Sequence, residues 1–437
     1  MIRTFRLWPA LQLSLMLCLL TKTGRSQDLT LRRAIDLTLT HSSSIALAEA
    51  EKHRATANYR EARSVYIPQV TVGAGIGYAY GFPLSLEGSA PTVFNVASQS
   101  SLYSPAQREF IHAAQADWDA SSSQIRDVRS KVLLDVVTSY MELVKWERKL
   151  PVLYAERKVT GDMLHAVEER VKEGVDAPLE ITKTKLKAAQ ANLGVAEAEG
   201  SANVLRQHLA ELTGLPATSV NPVEGSIPTL PEPNAENNAT PPSLQDNPMV
   251  TAADLRAESE QLKARGEHKM LRPTADAAVQ YGLINTTLTD YAQFFRPGSF
   301  RENNVTVGVV IRLPLLNATQ RARAEAADAD ALRAKSQAQN TRAQVSGEIV
   351  RLQNAVRELM ASRDVAQIQY ELSQTELQAA QTRMQTRTAT LRELQEASLQ
   401  AVLYSGALMD SEFDAERAQL QLLYETGELD GWSSAAK

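Results

Sequence analysis

The residue types that do most enzymatic chemistry are sparse in this chain of 437 residues. Its only cysteine, Cys18, lies in an N-terminal apolar run, so the rest of the chain has no thiolate nucleophile, no disulfide and no cysteine metal ligand. The histidines, His41, His53, His112, His165, His208 and His268, never fall at ligand spacing beside a carboxylate cluster. Solvated helix positions explain them better than a metal. GAGIGY, from Gly73, lacks the last glycine of a dinucleotide loop and sits in a strand pattern instead of ahead of a helix. No nucleophile, base and orienter set is present. The reading is that the chain is not an enzyme, has no catalytic or metal-ligating residues and needs no cofactor. A net charge of -5 gives no footprint for nucleic acid. What remains are polar side chains spaced along strands, Thr71, Asp276, Gln280 and Arg312, whose chemistry is to face water.

The strands that carry them are unusual. VTVGAGIGYAY sets Val70, Val72, Ala74, Ile76, Tyr78 and Tyr80 on one face and Thr71, Gly73, Gly75, Gly77 and Ala79 on the other. TADAAVQYGL sets Ala275, Ala277, Val279, Tyr281 and Leu283 against Asp276, Ala278, Gln280 and Gly282. NNVTVGVVIRLPL opposes Val305, Val307, Val309, Ile311 and Leu313 to Thr306, Gly308, Val310 and Arg312, while TVFNVASQS, from Thr92, alternates less cleanly. Strands apolar on one side and polar or small on the other match those of a transmembrane β-barrel. Val72, Ile76, Val307 and Ile311 are then expected to meet lipid, and Thr71, Asp276, Gln280 and Arg312 to line the lumen. A place for Asp276 and Arg312 at the lower rim, outside the membrane zone, stays open. Four strands cannot close a barrel, and unpaired edges are not tolerated in hydrocarbon. Several copies must therefore contribute, giving eight strands from a dimer or twelve from a trimer.

The larger organisation is a leader followed by a duplicated unit. Residues 1–26 read as a secretory signal, with Arg3 and Arg6 before the apolar run and Gly24 and Ser26 ahead of a cut before Gln27. Arg170, Glu180, Thr213 and Gly214 recur at one common offset as Arg383, Glu393, Thr426 and Gly427. The two repeats are read as residues 27–213 and 246–427, joined by a Pro-rich linker, 214–245, and followed by a tail, 428–437. Each holds a helix, two strands, one very long helix (near Pro105 to Lys172, then Ala318 to Thr386), a tight turn and a shorter helix ending at a glycine C-cap, Gly214 or Gly427. At 1.5 Å per residue such a long helix reaches on the order of 100 Å. Aromatic content of only 5% fits extended alanine-rich helices better than compact cores.

The duplicated order, ERVKEGVDAPLEITKTKLKAAQANL with its turn glycine Gly174, the ending LAELTGLP and VGVVIRLPLLN together resemble the TolC family of outer-membrane efflux and secretion channels. The resemblance covers nearly the whole mature sequence. It implies a mainly helical homotrimer in which four strands per chain share a twelve-stranded barrel in the bacterial outer membrane, with a helical barrel in the periplasm. It also implies a passive export duct that docks a periplasmic adaptor and, through it, an inner-membrane pump. Gly174 and Val175 in the first tip, and Arg387 and Ala389 in the second, are the expected adaptor-docking turns. Glu393 and Glu396, with Lys183 in the first half, fall at the expected periplasmic gate, where a ring of acids would attract cations. Acids in a helix's first turn also oppose its dipole, which accounts for Glu393 equally well. The competing reading is an exported coiled-coil envelope scaffold without channel activity.

Overall fold

The computed structural model describes residues 28–75, 92–231, 244, 247–284, 298, 301–386 and 388–434. The signal reading over 1–26, and the expected lipid-facing Ile76 and docking-tip Arg387, lie outside the described residues. The chain forms α1 (Leu31–His41), α2 (Ser43–Ser64), β1 (Gln69–Ala74), β2 (Thr92–Tyr103), α3 (Pro105–Lys172) and α4 (Pro178–Thr213). A second run of the same order follows, as α5 (Pro248–Lys269), β3 (Thr274–Ile284), β4 (Asn303–Arg312), α6 (Ala318–Gln385) and α7 (Leu391–Thr426), with a short α8 (Leu429–Ser433) after it. Gly214 and Gly427 end their helices at φ 73° and 79° in the left-handed region, where a side chain is strained. Ser42 splits the first expected helix into α1 and α2. Pro151 stays inside α3.

The chain divides into two compact units. One holds residues 45–128 and 243–347. In it the strands form one antiparallel sheet, ordered β1-β2-β3-β4, so the central pair β2–β3 joins the two sequence repeats. Its helices meet along small residues: Ala106, Ala113 and Ala120 of α3 and Ala324, Ala331 and Ala338 of α6 are buried at seven-residue intervals. Gly266 of α5 lets the backbone approach the Phe110 ring, since a Cβ there would lie 2.6 Å from Cε1.

The other unit holds residues 1–44, 129–242 and 348–437. α1 buries Leu31, Ala34, Ile35 and Thr38, one helical stripe, behind the N-cap Thr30. The stretch ahead of it is pinned: Leu29 bridges Pro222 in parallel and donates its N–H to Asn221 O at 2.7 Å. The Tyr140 hydroxyl of α3 donates to Leu29 O (2.6 Å), accepts from Val223 N (2.7 Å) and meets Ser226 Oγ (3.0 Å). Burial pushes its pKa up. Val220, Ile227 and Leu230 thus pack into the core, with Val220 fully buried, although the prolines and glycine of this stretch exclude a long helix. Leu429, in the stretch read as a tail, is buried in the same core.

Candidate functional site

In an antiparallel ladder directly paired residues point to the same side, so the register assigns the faces. Thr71 pairs with Ala97, Ala97 with Gln280, and Gln280 with Thr306; Asp276 pairs with Ser101 and Val310, and Arg312 with Thr274. Thr71, Asp276, Gln280 and Arg312 therefore share one face. Asp276 is nearly buried and forms an ion pair with Arg312. Gly73 leaves room for the side chain of its partner Asn95. The opposite face carries Val70, Val72, Val279, Val305, Val307, Val309 and Ile311, with Val72 65% exposed, Val307 72% and Ile311 73%. Val310 is an apolar residue on the polar face, and β2 places Ser98 and Ser100 on the apolar one. Among the described residues β1 and β4 are the edge strands of the sheet.

The two turns between long helices close in the same way. Val175 N and Asp176 N both reach Arg170 O, at 2.9 and 3.4 Å, and Thr388 N and Ala389 N both reach Arg383 O, at 2.8 and 3.2 Å. The side chains then diverge. In the first turn Gly174 stands at φ 76°, Val175 is 59% exposed, and Arg170 clamps Asp176 through Nε and Nη2 at 2.7 and 3.2 Å. That clamp holds the Asp176 carboxyl below its ordinary pKa. In the second turn Ala389 stands where the first has Asp176, so closure falls to Thr388 Oγ1, which donates to Arg383 O at 3.1 Å.

Beside the turns a chain of charges links the N-termini of α4 and α7. Lys183 Nζ lies 2.9 Å from Glu180, Glu180 lies 3.4 Å from Arg392 Nη2, and Arg392 Nε lies 3.3 Å from Glu396. Hydrogen bonding from Lys183, helped by the Arg392 charge, lowers the Glu180 pKa. Glu393 stands outside this chain. Its backbone N–H donates to the N-cap hydroxyl of Thr390, which in turn donates to Glu393 Oε1 at 3.2 Å, a pairing akin to a capping box. Sequence reasoning grouped Glu393 with Glu396 because they are one turn apart; the structure separates them by partner. Glu180, the first-half counterpart of Glu393, and Arg392, a basic neighbour expected to hold the hairpins by contacts between subunits, meet instead within one chain.

Comparisons with known proteins agree with this architecture. The outer membrane efflux protein family matches residues 34–215. The cobalt-zinc-cadmium resistance protein CzcC of Cupriavidus metallidurans is 24% identical over 210 residues, 48% of this chain and 47% of that protein, so the match spans about half of that relative. Protein CyaE of Bordetella pertussis is 25% identical over 353 residues, 78% of this chain and 72% of its own. Among solved structures, the outer membrane protein VceC of Vibrio cholerae superposes with a TM-score of 0.74 over 91% of this chain and 96% of its own, at 20% identity. Over residues 34–215 the chain is thus similar to the outer membrane efflux protein family. The fold is TolC-like, and the matched family is described as outer membrane efflux proteins. Among the described residues no helix is long and apolar enough to cross a membrane, and no group of three or more His, Cys, Asp or Glu is placed to hold a metal. His208 and His268 each face a carboxylate, Asp135 at 3.1 Å and Asp328 at 2.8 Å.

Proposed function

We propose that three copies of this chain form a passive export duct, the outer-membrane component of a tripartite efflux pump or a type I secretion system. The observation that carries the proposal is the sheet: among the described residues, four strands ending in the edge strands β1 and β4, one face broadly exposed and apolar, the other polar. In hydrocarbon each edge needs a partner, and β4 of one copy paired with β1 of the next closes a twelve-stranded barrel whose polar face lines water. The scaffold reading does not need this face. Thr71, Asp276, Gln280 and Arg312 then lie on the lumen side, and the Asp276–Arg312 pair keeps a charged couple neutral there. The turns at Gly174, Val175, Arg387 and Ala389 are the docking points for a periplasmic adaptor, which connects the duct to an inner-membrane pump. The gate is the charge chain Lys183–Glu180–Arg392–Glu396, which ties two hairpins together within one chain and must part for the tips to swing open. Glu393 serves mainly as a cap. The pump selects the cargo, and the name of the matched resistance protein makes divalent cobalt, zinc and cadmium the first cargoes to assay.

The test is reconstitution. Detergent-extracted outer membranes should yield an oligomer that dissociates on heating, and the purified protein should conduct ions in planar bilayers. Arg392→Ala should raise the open fraction, and Glu396→Gln should lower cation selectivity more than Glu393→Gln. A chain that is fully soluble in buffer and does not conduct would leave the scaffold reading standing instead.

A further inference from the structure

In the unit that holds the sheet, four helices stand side by side in the order of their strands, α2, α3, α5 and α6. Contacts follow that order. Tyr59 of α2 stacks on Trp118 of α3, Ser259 Oγ of α5 donates to Ala113 O of α3 at 2.9 Å, and Gln320 Nε2 of α6 donates to Glu267 O of α5 at 3.0 Å. Arg54 and Asn58 of α2, Phe110 and Asp117 of α3, and Arg256 and Lys263 of α5 line one cavity of about 530 Å³. A hollow shared by three successive helices marks the concave side of their layer. At about 100° per residue, Arg60, Arg63, Arg108 and Arg272 fall roughly half a turn from those cavity residues, on the convex side. His268 lies on that side too and meets Asp328 at 2.8 Å; Arg321, two turns before Asp328 on α6, continues the same stripe. All five arginines are exposed, and among the described residues none takes part in an ion pair. Lys263, on the cavity side, is matched by Asp117 at 3.0 Å and Glu260 at 2.9 Å. Against the five stand only Glu109, already paired with Lys269, and Glu325, one turn from Arg321.

An exposed apolar band separates these arginines from the sheet. Tyr103 pairs with Ala275, and Leu313 follows Ile311 at a step of two, so both continue the apolar face of the sheet. Leu315 and Leu316 come next and are 78% and 91% exposed. We propose that this rim, apolar and then basic, binds anionic phospholipid in the periplasmic leaflet of the outer membrane, with Leu313, Leu315 and Leu316 among the acyl chains and the five arginines on the headgroup phosphates. This rests on the membrane barrel proposed above and names the lipid that its rim selects. The arginines lie within about three helical turns of the strand ends, and their apolar stems let the guanidinium groups reach toward the headgroup layer. A guanidinium fork fits a phosphate with two parallel hydrogen bonds. A cluster of cations just outside an apolar segment draws anionic lipid, whereas a zwitterionic headgroup carries a cation that cancels its own phosphate charge.

Lipid selectivity is the test. The full chain, reconstituted in phosphatidylcholine vesicles with a trace of spin-labelled phosphatidylglycerol or spin-labelled phosphatidylcholine, should immobilise the anionic lipid more strongly, and molar salt should erase the difference. Arg108→Gln combined with Arg272→Gln and Arg321→Gln should lower that preference severalfold, up to about fivefold for each arginine removed. Arg256→Gln, on the cavity side, should leave it unchanged. No preference in a protein that forms heat-dissociable oligomers and conducts, or a preference that survives the triple substitution, would overturn the proposal and leave the channel reading intact. Failure to insert into vesicles would remove both. A periplasmic protein that binds the native chain but not the triple variant, with no lipid preference in either, would assign this face to a protein partner and overturn the lipid site.

Discussion

Val307 and Thr306 are neighbours in β4 that point to opposite faces of the sheet, which makes them a matched pair for testing the barrel. Val307 lies midway along β4, whose ends are Asn303 and Arg312, so at roughly 3.3 Å per residue it falls near the centre of the apolar band. An arginine facing lipid at that depth costs about 2–4 kcal/mol per chain, hence roughly 6–12 kcal/mol for a trimer. Ile311 faces the same side near the strand's end, where the cost falls to about 0–1 kcal/mol. Thr306 pairs with Gln280 on the polar face, where an added arginine meets water. Val307→Arg should therefore abolish heat-dissociable oligomer in extracted outer membranes, Ile311→Arg should reduce it modestly, and Thr306→Arg and Gln280→Arg should assemble normally. The readout is unboiled against boiled electrophoresis at matched expression. Equal loss from Thr306→Arg and Val307→Arg would refute the face assignment, and normal assembly of Val307→Arg would refute contact with lipid.

The tips should loosen in acid. Asp176 and Glu180 have lowered pKa values, through hydrogen bonds from Arg170 and Lys183 respectively, so their contribution is complete above the ordinary carboxylate pKa of about 4 and is lost as pH falls through the lower folded values. Bilayer conductance should be flat from neutral pH to about 4 and rise below it; a rise already near pH 6 would point to another group. Gly266→Ala should lower the thermal midpoint despite alanine's better helix propensity, because the new Cβ drives into Phe110 at a typical overpacking cost of about 1–3 kcal/mol, and Phe110→Leu should restore it. Gly161→Ala, with open space at its Cβ position, should be neutral or stabilising by up to about 1 kcal/mol. Tyr140→Phe should cost about 1–3 kcal/mol, read by circular dichroism on heating, since Leu29 O and Val223 N lose their buried partner.

The sequence by itself determined whatever repeats over short range. Alternation of step two marked β3 and β4 and placed Asp276, Gln280 and Arg312 on one face before any pairing was known, and the same logic placed Thr71. Common spacing between Arg170 and Arg383 and between Gly214 and Gly427 exposed the duplication, and glycine's access to positive φ explained both helix ends. These features are legible because they follow from neighbours a few residues apart. Only the tertiary structure decided which distant groups meet. Sequence offered Arg392 as a basic neighbour of the gate without saying that Glu180 of the same chain would be its partner, and nothing around Tyr140 announces Leu29 and Val223, since each pairing depends on how whole helices are laid together. The stretch from Val220 to Leu230 read as a linker because proline and glycine break helices locally, yet the core needed its backbone groups to satisfy those of Leu29 and its side chains to fill space. Glu393 and Glu396 look alike in sequence, and a cap for one and a guanidinium for the other made them different.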